Sequence, residues 1–318
     1  MTLTVRKLNE HFAAELRGLD LRKTQSPQIL REIYDAFLTH GVLVIPGQPL
    51  SIDQQLAFAK TFGDLWVMPE AVDAARRFER RIANRAISDI SNIDTKDELV
   101  GGASTKMLFQ LGNQLWHSDN SFRPVPAHAS MLHAVEIVTE GGETQFADLI
   151  APYEALPDAR KAQLEGLIAE HSIAHSRLKG LKGVGYERLD LDAVKTAVPP
   201  APQPVVRTHP ETGRKGLFVG SHAASIAGMI PEQGAALIEA LVEHITQPAY
   251  VYSHRWAIHD LVIWDNRRVL HRATPYAVDQ DRRVMHRATV AGEAQTVVDG
   301  RIVEPPVARR IPRPHIAA

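Results

Sequence analysis

The stretch Gly112–Asp119 (GNQLWHSD) constrains the chain strongly, because it sets His117 and Asp119 one residue apart. On an extended backbone, side chains at positions i and i+2 point to the same face, so this imidazole and this carboxylate can reach one metal ion. With one more histidine they form the two-histidine, one-carboxylate face that leaves positions of Fe(II) open for other ligands. The alternative reading is a histidine at a strand end and an aspartate that caps a turn.

Composition narrows the donors that a metal site can use. The chain has 318 residues and no cysteine, which excludes disulfides and thiolate ligands and leaves His, Asp and Glu. Its formal net charge of −1 creates no field that would recruit nucleic acid or an anionic membrane. No stretch approaches the roughly 20 apolar residues of a membrane span, and Met1–Arg6 contains no apolar signal region. We therefore expect a cytoplasmic protein without nucleic-acid or membrane partners.

The first part of the chain predicts two helices around a buried strand. Ser26, followed by proline, is typical of a helix N-cap, and Gly41 is typical of a helix end. The apolar run Val42–Ile45 predicts a buried strand. A Ser-x-x-Gln capping box at residues 51–54 predicts a second helix that continues to Phe62.

The remainder predicts a β-rich core with helices at its edges. Residues 176–204 contain several glycines and a proline pair, and a loop of this length in a compact domain is usually functional, so we expect a lid. Residues 303–318 are rich in proline and arginine and predict an extended tail. The other predicted elements are strands at Ile87–Ile93, Ser130–Val138, Tyr250–Tyr252 and Leu261–Trp264, a hairpin within residues 205–219, and helices at Pro152–Ala169 and Pro231–Ile245.

An arginine-rich segment, residues 71–85, allows two interpretations. Such a run usually forms the solvated face of a helix, which is the expectation here. The alternative is that one of these arginines reaches the substrate.

Three further stretches extend the pattern set by the His-x-Asp pair. They are Gly141–Asp148 (GGETQFAD), Leu261–Arg272 (LVIWDNRRVLHR) and Arg282–Thr289 (RRVMHRAT). In this order they resemble the Fe(II)/2-oxoglutarate-dependent dioxygenases of the taurine and 2,4-dichlorophenoxyacetate dioxygenase (TauD/TfdA) family. The phrases NQLWHSD, WDNR and LHR are most similar to the 2,4-dichlorophenoxyacetate, or aryloxyalkanoate, branch. The resemblance extends from Leu3 to Glu293.

The resemblance implies a β-rich α+β fold, with a double-stranded β-helix (a jelly-roll or cupin-like core) and flanking helices. One domain over residues 1–302 is expected, with residues 176–204 as a lid insertion and residues 303–318 as the tail. Fe(II) is the implied cofactor, 2-oxoglutarate and O2 are the cosubstrates, and a small organic acid is the substrate. We also expect a homo-oligomer.

The resemblance also assigns site residues. A 2-oxo acid chelates the metal, and its far carboxylate needs a cationic anchor, for which a bidentate arginine is best suited. The implied metal ligands are His117, Asp119 and His271, the implied cosubstrate residues are Thr144 and Arg283, and the implied substrate residues are Asn113 and Arg287.

The cosubstrate arginine must be chosen between two neighbours. The usual family spacing from His271 counts to Arg282, whereas alignment on the motif RRVMHRAT gives Arg283 with one residue inserted in the preceding turn. We choose Arg283, since turns absorb insertions more easily than strands do. Strand alternation then places Arg283, Met285 and Arg287 on one face.

The substrate is less constrained than the site. The aryloxyacetate branch carries lysines in two segments. In the matching segments of this chain the only lysine is Lys96, and Glu98 lies near one expected lysine position. An aryloxyalkanoate or similar aromatic acid is the first hypothesis, with hydroxylation that splits the ether into a phenol and glyoxylate or pyruvate. The alternatives are a sulfonate such as taurine, and a non-catalytic β-sandwich that binds a ligand.

Overall fold

The structure, a computed structural model, describes residues 3–181, 189–304 and 306–318. The helices are α1 (Pro27–His40), α2 (Ile52–Ala59), α3 (Glu70–Ala75), α4 (Thr105–Gln110), α5 (Ile150–Glu154), α6 (Asp158–Leu164), α7 (Ile173–Leu181), α8 (Leu191–Ala197) and α9 (Pro231–Ile245), with 3-10 helices at Leu111–Gln114 and Pro248–Tyr250. The strands are β1 (Thr4–Lys7), β2 (Ala14–Arg17), β3 (Val42–Ile45), β4 (Ile87–Ser91), β5 (Ala129–Glu136), β6 (Thr144–Asp148), β7 (Ile168–His171), β8 (Ala201–Pro204), β9 (Val206–Thr208), β10 (Lys215–Leu217), β11 (Ala223–Ile226), β12 (Val251–His254), β13 (Leu261–Asp265), β14 (Val269–Ala273), β15 (Val284–Val290), β16 (Val297–Val298) and β17 (Arg301–Ile302).

Two β-sheets enclose the centre of the molecule. Among the described residues, one sheet has seven strands in the order β1-β2-β3-β13-β5-β15-β4, and another has three in the order β12-β6-β14. Leu132 and Met285 from the first sheet share a buried cluster with Phe146 and Val269 from the second. This arrangement, with helices outside it, confirms the predicted β-rich α+β class and jelly-roll core.

The N-terminal helices begin where the sequence predicts. The Ser26 hydroxyl accepts a hydrogen bond from the Ile29 amide at the start of α1, and Gly41 ends that helix in the left-handed conformation. The capping box of α2 is also present, but α2 ends at Ala59 rather than at Phe62. Helix α1 packs its apolar face on the outside of the large sheet, so the opposite face of that sheet is left to build the site.

The predicted helix Pro152–Ala169 was wrong. Helices α5 and α6 occupy its first part, with Pro157 as the N-cap residue of α6, and the chain turns at Gly166, whose φ is +78°. The last residues belong instead to β7, which pairs with β8 and β11. A proline and a left-handed glycine interrupt what looked like one apolar helical repeat.

The segment predicted as a lid, residues 176–204, is more regular than a loop. It contains the end of α7, all of α8 and strand β8, while residues 182–188 lie outside the described part. Leu181 and Val194 belong to a buried cluster with Phe109, so α7 and α8 pack against α4. Its role as a lid stays a prediction.

The C-terminal residues 306–318 contain no helix or strand in the part that the structure describes, but they pack on the body. His315 is buried against Phe58, and Arg313 forms an ion pair with Asp64.

Candidate active site

Hydrogen bonds between backbones bring the three predicted metal ligands together. His117 and His271 form a β-bridge in which each amide donates to the other's carbonyl, at 3.0 and 2.8 Å. Asp119 follows His117 by two residues. One potential ligand atom from each of the three residues lies within 4.8 Å of the other two. The Nε2 atoms of His117 and His271 are 4.0 and 3.7 Å from the Asp119 carboxylate oxygens.

The protonation states of these residues suit a metal. Nδ1 of His117 lies 2.7 Å from the Leu115 carbonyl and donates to it, which leaves the Nε2 lone pair directed elsewhere. Burial lowers the pKa of His117 to about 4 and also lowers the pKa of His271. Two neutral imidazoles and one carboxylate are the donor set of non-haem Fe(II) sites, so the residues present fit this ion.

Asn266 holds the Asp119 backbone and links it to the large sheet. Its side-chain oxygen accepts from the Asp119 amide at 3.1 Å and from the Trp264 indole at 3.0 Å. Its side-chain amide donates to the Ser130 hydroxyl at 3.0 Å, and Ser130 donates to the Asp119 carboxylate at 2.7 Å. These contacts fix both the main chain and the side chain of Asp119.

Arg287 reaches the same carboxylate. Its Nη1 donates to Oδ1 of Asp119 at 2.6 Å. Burial alone would raise the pKa of Asp119, but Arg287 and the two imidazoles outweigh it and lower the pKa to about 2. The predicted substrate arginine is therefore also a partner of the candidate metal ligand.

One cavity adjoins two of the three candidate ligands. Thr144 and Arg283 line it with His117 and His271. Arg283 is buried and donates from Nη2 to the Gly142 carbonyl at 3.0 Å, while the Thr144 hydroxyl accepts from the Trp256 indole at 3.1 Å. A guanidinium and a hydroxyl that line the same cavity as the two imidazoles can bind the far carboxylate of a dicarboxylic acid.

Glycine is required beside this arginine. Gly142 has a φ of +69°, and a Cβ at that position would lie 2.9 Å from Val138 and 3.1 Å from Nε of Arg283. The second glycine of the motif GGETQFAD, Gly142, thus gives the Arg283 side chain room to enter the cavity.

The neighbouring Arg282 lies at the surface. It forms ion pairs with Glu136 at 2.8 Å and Asp97 at 2.9 Å and lines neither cavity described here. Met285 is fully buried in the cluster between the sheets, so Arg283, Met285 and Arg287 all turn inward. The three residues face inward as the alternation predicts, and the role of Arg283 as the cosubstrate anchor stays a prediction.

A second and larger cavity is lined by His117 and Asp119. Asn113 and Arg287 line both cavities. The second cavity is bounded mainly by apolar and aromatic side chains and by four arginines: Trp66, Met68, Val72, Ile90, Phe109, Phe122, Ile173, Arg76, Arg123, Arg177 and Arg287. Such a lining suits an aromatic acid.

The arginine-rich segment departs from its expected role. Helix α3 ends at Ala75, and the side chains of Arg76, Arg80 and Arg81 are only 13, 16 and 21% exposed. The expectation of a solvated helix face was therefore wrong for these residues. Arg76 lines the larger cavity, and the alternative interpretation, that one of these arginines reaches the substrate, stays a prediction.

Several residues of the site were missed by sequence reasoning. Arg177 and Phe122 lie in segments without a recognisable motif, and only the fold brings them to the cavity. Asn266 stands in the quoted motif WDNR, and its position directly after a buried strand was a usable signal for a positioning role.

Comparison with known proteins gives consistent matches. The family model for taurine catabolism dioxygenase TauD, TfdA family, matches residues 4–289. An alpha-ketoglutarate-dependent 2,4-dichlorophenoxyacetate dioxygenase of Cupriavidus pinatubonensis is 40% identical over 87% of this chain and 94% of its own length. A (S)-phenoxypropionate/alpha-ketoglutarate-dioxygenase of Sphingobium herbicidovorans is 34% identical over 86% of this chain and 90% of its own. The crystal structure of AAD-2 in complex with Mn(II) and N-oxalylglycine superposes with a TM-score of 0.83 and 42% identity, over 94% of this chain and 100% of that one.

Proposed function

Because this chain belongs to the TauD/TfdA dioxygenase family, we propose that it is an Fe(II)- and 2-oxoglutarate-dependent dioxygenase that oxidises an aryloxyalkanoate acid. Hydroxylation of the carbon beside the ether oxygen gives a hemiacetal, which collapses to a phenol and glyoxylate or pyruvate. One 2-oxoglutarate and one O2 are consumed for each substrate, and succinate and CO2 are released.

The observation that carries this proposal is that two cavities adjoin one His-Asp-His cluster. His117, Asp119 and His271 would hold Fe(II), which supplies oxygen activation when it is bound. Thr144 and Arg283 would bind the 2-oxoglutarate carboxylate in the smaller cavity. A dicarboxylic cosubstrate and an organic acid thus each have a cationic partner near the metal ligands.

In the larger cavity, Arg287 and Asn113 would orient the substrate acid. Arg287 already donates to Asp119 through Nη1, and its Nε has no hydrogen-bond partner among the described residues. A planar guanidinium that contacts both a metal ligand and the substrate carboxylate would set the carbon beside that carboxylate near the metal. The apolar walls would exclude water from the reacting carbon.

The direct test is a screen of acids for stimulated succinate release, with Fe(II), ascorbate and 2-oxoglutarate supplied. Phenoxyacetate and phenoxypropionate should stimulate succinate release, whereas taurine and benzoate should leave it near the uncoupled rate. Stimulation by taurine alone would favour the sulfonate alternative. That alternative is less supported, because the relatives described above are named for aryloxyalkanoate acids.

Two further expectations from the sequence remain predictions. No helix in the described part of the chain is long and apolar enough to cross a membrane, and the cytoplasmic location is proposed. A homo-oligomer is likewise proposed, and sedimentation equilibrium of the purified protein would test it.

A further inference from the structure

The side chains that line the larger cavity carry more positive charge than one substrate carboxylate would neutralise. Four arginines line it, and Asp119 is the single carboxylate among the described residues that do so. Arg287 is paired with Asp119, and Arg76 lies 3.6 Å from Asp73. Arg123 and Arg177 have no ion-pair partner among the described residues, and Arg177 is the more deeply buried of the two.

Arg177 lies on α7 and is only 7% exposed. Its Nη2 donates to Oδ1 of Asn113 at 3.3 Å, and its guanidinium carbon is 4.6 Å from the centre of the Phe109 ring. Its Nε and Nη1 have no hydrogen-bond partner among the described residues. A buried guanidinium with two unused donors beside a cavity is suited to receive an anion.

The electrostatic surroundings favour the same ligand. Burial, together with Arg76 and Arg287, lowers the pKa of Arg177 to about 9, so this guanidinium is still charged at neutral pH. An anion placed beside it would offset both the burial and the repulsion between the arginines.

The backbone leaves room for this side chain. A Cβ at Gly112 would lie 1.7 Å from Nη1 of Arg177, so the guanidinium occupies the space that any other residue at position 112 would fill. A Cβ at Gly180, which is on the same helix as Arg177, would lie 3.0 Å from the backbone nitrogen of Gly112. The two glycines hold α7 and its arginine close to the segment that carries His117.

We infer that Arg177 forms a second anion site in the substrate cavity, so that the substrate is an aryloxyalkanoate with a second acidic group on its ring. The inference rests on the proposed function and specifies its substrate class. One carboxylate lies at Arg287, beside the metal ligands, and the second lies at Arg177. The ring between them contacts apolar walls that include Phe109, Phe122 and Ile173.

The test compares phenoxyacetate with its 2-, 3- and 4-carboxy derivatives. Binding is measured by calorimetry on the protein loaded with Mn(II) and N-oxalylglycine, and turnover is measured as succinate release with Fe(II) and 2-oxoglutarate. In the wild type, at least one carboxylated isomer should bind roughly 10-fold or more tightly than phenoxyacetate, as expected for one additional charge-assisted contact. The Arg177→Met variant should remove that preference, so that its affinities for phenoxyacetate and for the carboxylated isomers become similar.

Lys179→Met provides the matched control, because Lys179 lies on the same helix and lines a different cavity. It should keep the preference for the diacid. Gly112→Ala should weaken the preference, since the new methyl group displaces the guanidinium of Arg177.

The inference is overturned if, in the wild type, no carboxylated isomer binds more tightly than phenoxyacetate. This comparison uses the wild-type protein alone, so it does not depend on whether a variant folds. It is also overturned if Arg177→Met keeps the preference. In both cases, turnover of phenoxyacetate would leave the proposed function standing. If none of the four acids stimulates succinate release, the proposed function fails and this inference fails with it.

Discussion

His117, Asp119 and His271 meet because a short bridge joins two segments about 150 residues apart in the chain. The His-x-Asp spacing predicts a shared face, but spacing alone cannot select a third ligand among 15 histidines. Family motifs indicate His271, and the structure places it beside the other two. Arg177, in contrast, has no motif, and its position depends on how α7 packs.

Replacing a candidate metal ligand should abolish turnover while the fold is retained. His117→Ala, Asp119→Ala and His271→Ala each remove one of three donors, so Fe(II)-dependent succinate release should fall by at least about 100-fold. His11→Ala, at an exposed histidine, is the matched control and should keep wild-type activity. A ligand variant with full activity and bound iron would exclude that residue from the site.

Two adjacent arginines should differ in their effect on the cosubstrate. Arg283 is buried in the smaller cavity, and loss of a charge-assisted pair costs about 2–3 kcal/mol, so Arg283→Ala should raise the KM for 2-oxoglutarate roughly 30- to 150-fold. Arg282→Ala should change this KM by less than about threefold, because its partners are surface acids. The opposite ranking in steady-state kinetics would show that the cosubstrate lies elsewhere.

At the level of elements, the turn between β13 and β14 connects the two sheets and positions Asp119. Helix caps and apolar strands were predictable here, because residues close in sequence determine them. Examples are the caps at Ser26 and Gly41 and the strand Val42–Ile45. The segment after Ile150 was not predictable in this way. A proline and a left-handed glycine divide it, and β7 forms only through pairing with strands far along the chain.

Asn266→Ala should loosen Asp119 without unfolding the protein. The Asp119 amide, the Trp264 indole and the Ser130 hydroxyl would each lose a partner. We expect Mn(II) affinity, measured by titration in an electron paramagnetic resonance spectrometer, to fall about 10- to 100-fold. Asn84→Ala, which lies at an exposed turn, should leave the affinity unchanged. Unchanged affinity in Asn266→Ala would show that the turn does not position the ligand.

At the level of the whole molecule, buried neutral histidines make folding sensitive to acid. Burial lowers the pKa of His117 to about 4 and that of His171 to about 3, and it lowers the pKa of His128 and His222 as well. In the unfolded chain these imidazoles bind protons below about pH 6.5, whereas in the folded chain they stay neutral until the pH approaches their lowered pKa values.

The free energy of unfolding of the metal-free protein should therefore fall as the pH decreases from 6.5 toward 4. Each such histidine contributes about 1.4 kcal/mol per pH unit in that interval. Urea unfolding of chelator-treated protein at pH 7.5 and pH 5.5 would measure this, with a lower midpoint expected at pH 5.5. Equal midpoints would show that these histidines titrate in the folded protein much as they do in the unfolded chain.

The sheets, the helices over them and the two cavities together support a single chemical outcome: oxidation of an acid coupled to decarboxylation of 2-oxoglutarate. The most direct test is the ratio of phenol to succinate formed from an aryloxyalkanoate with Fe(II) and limiting O2, both quantified by chromatography in one sample. We predict close to one phenol per succinate, and neither product above background in His271→Ala. Succinate without phenol for every aryloxyalkanoate tested would contradict the proposed function.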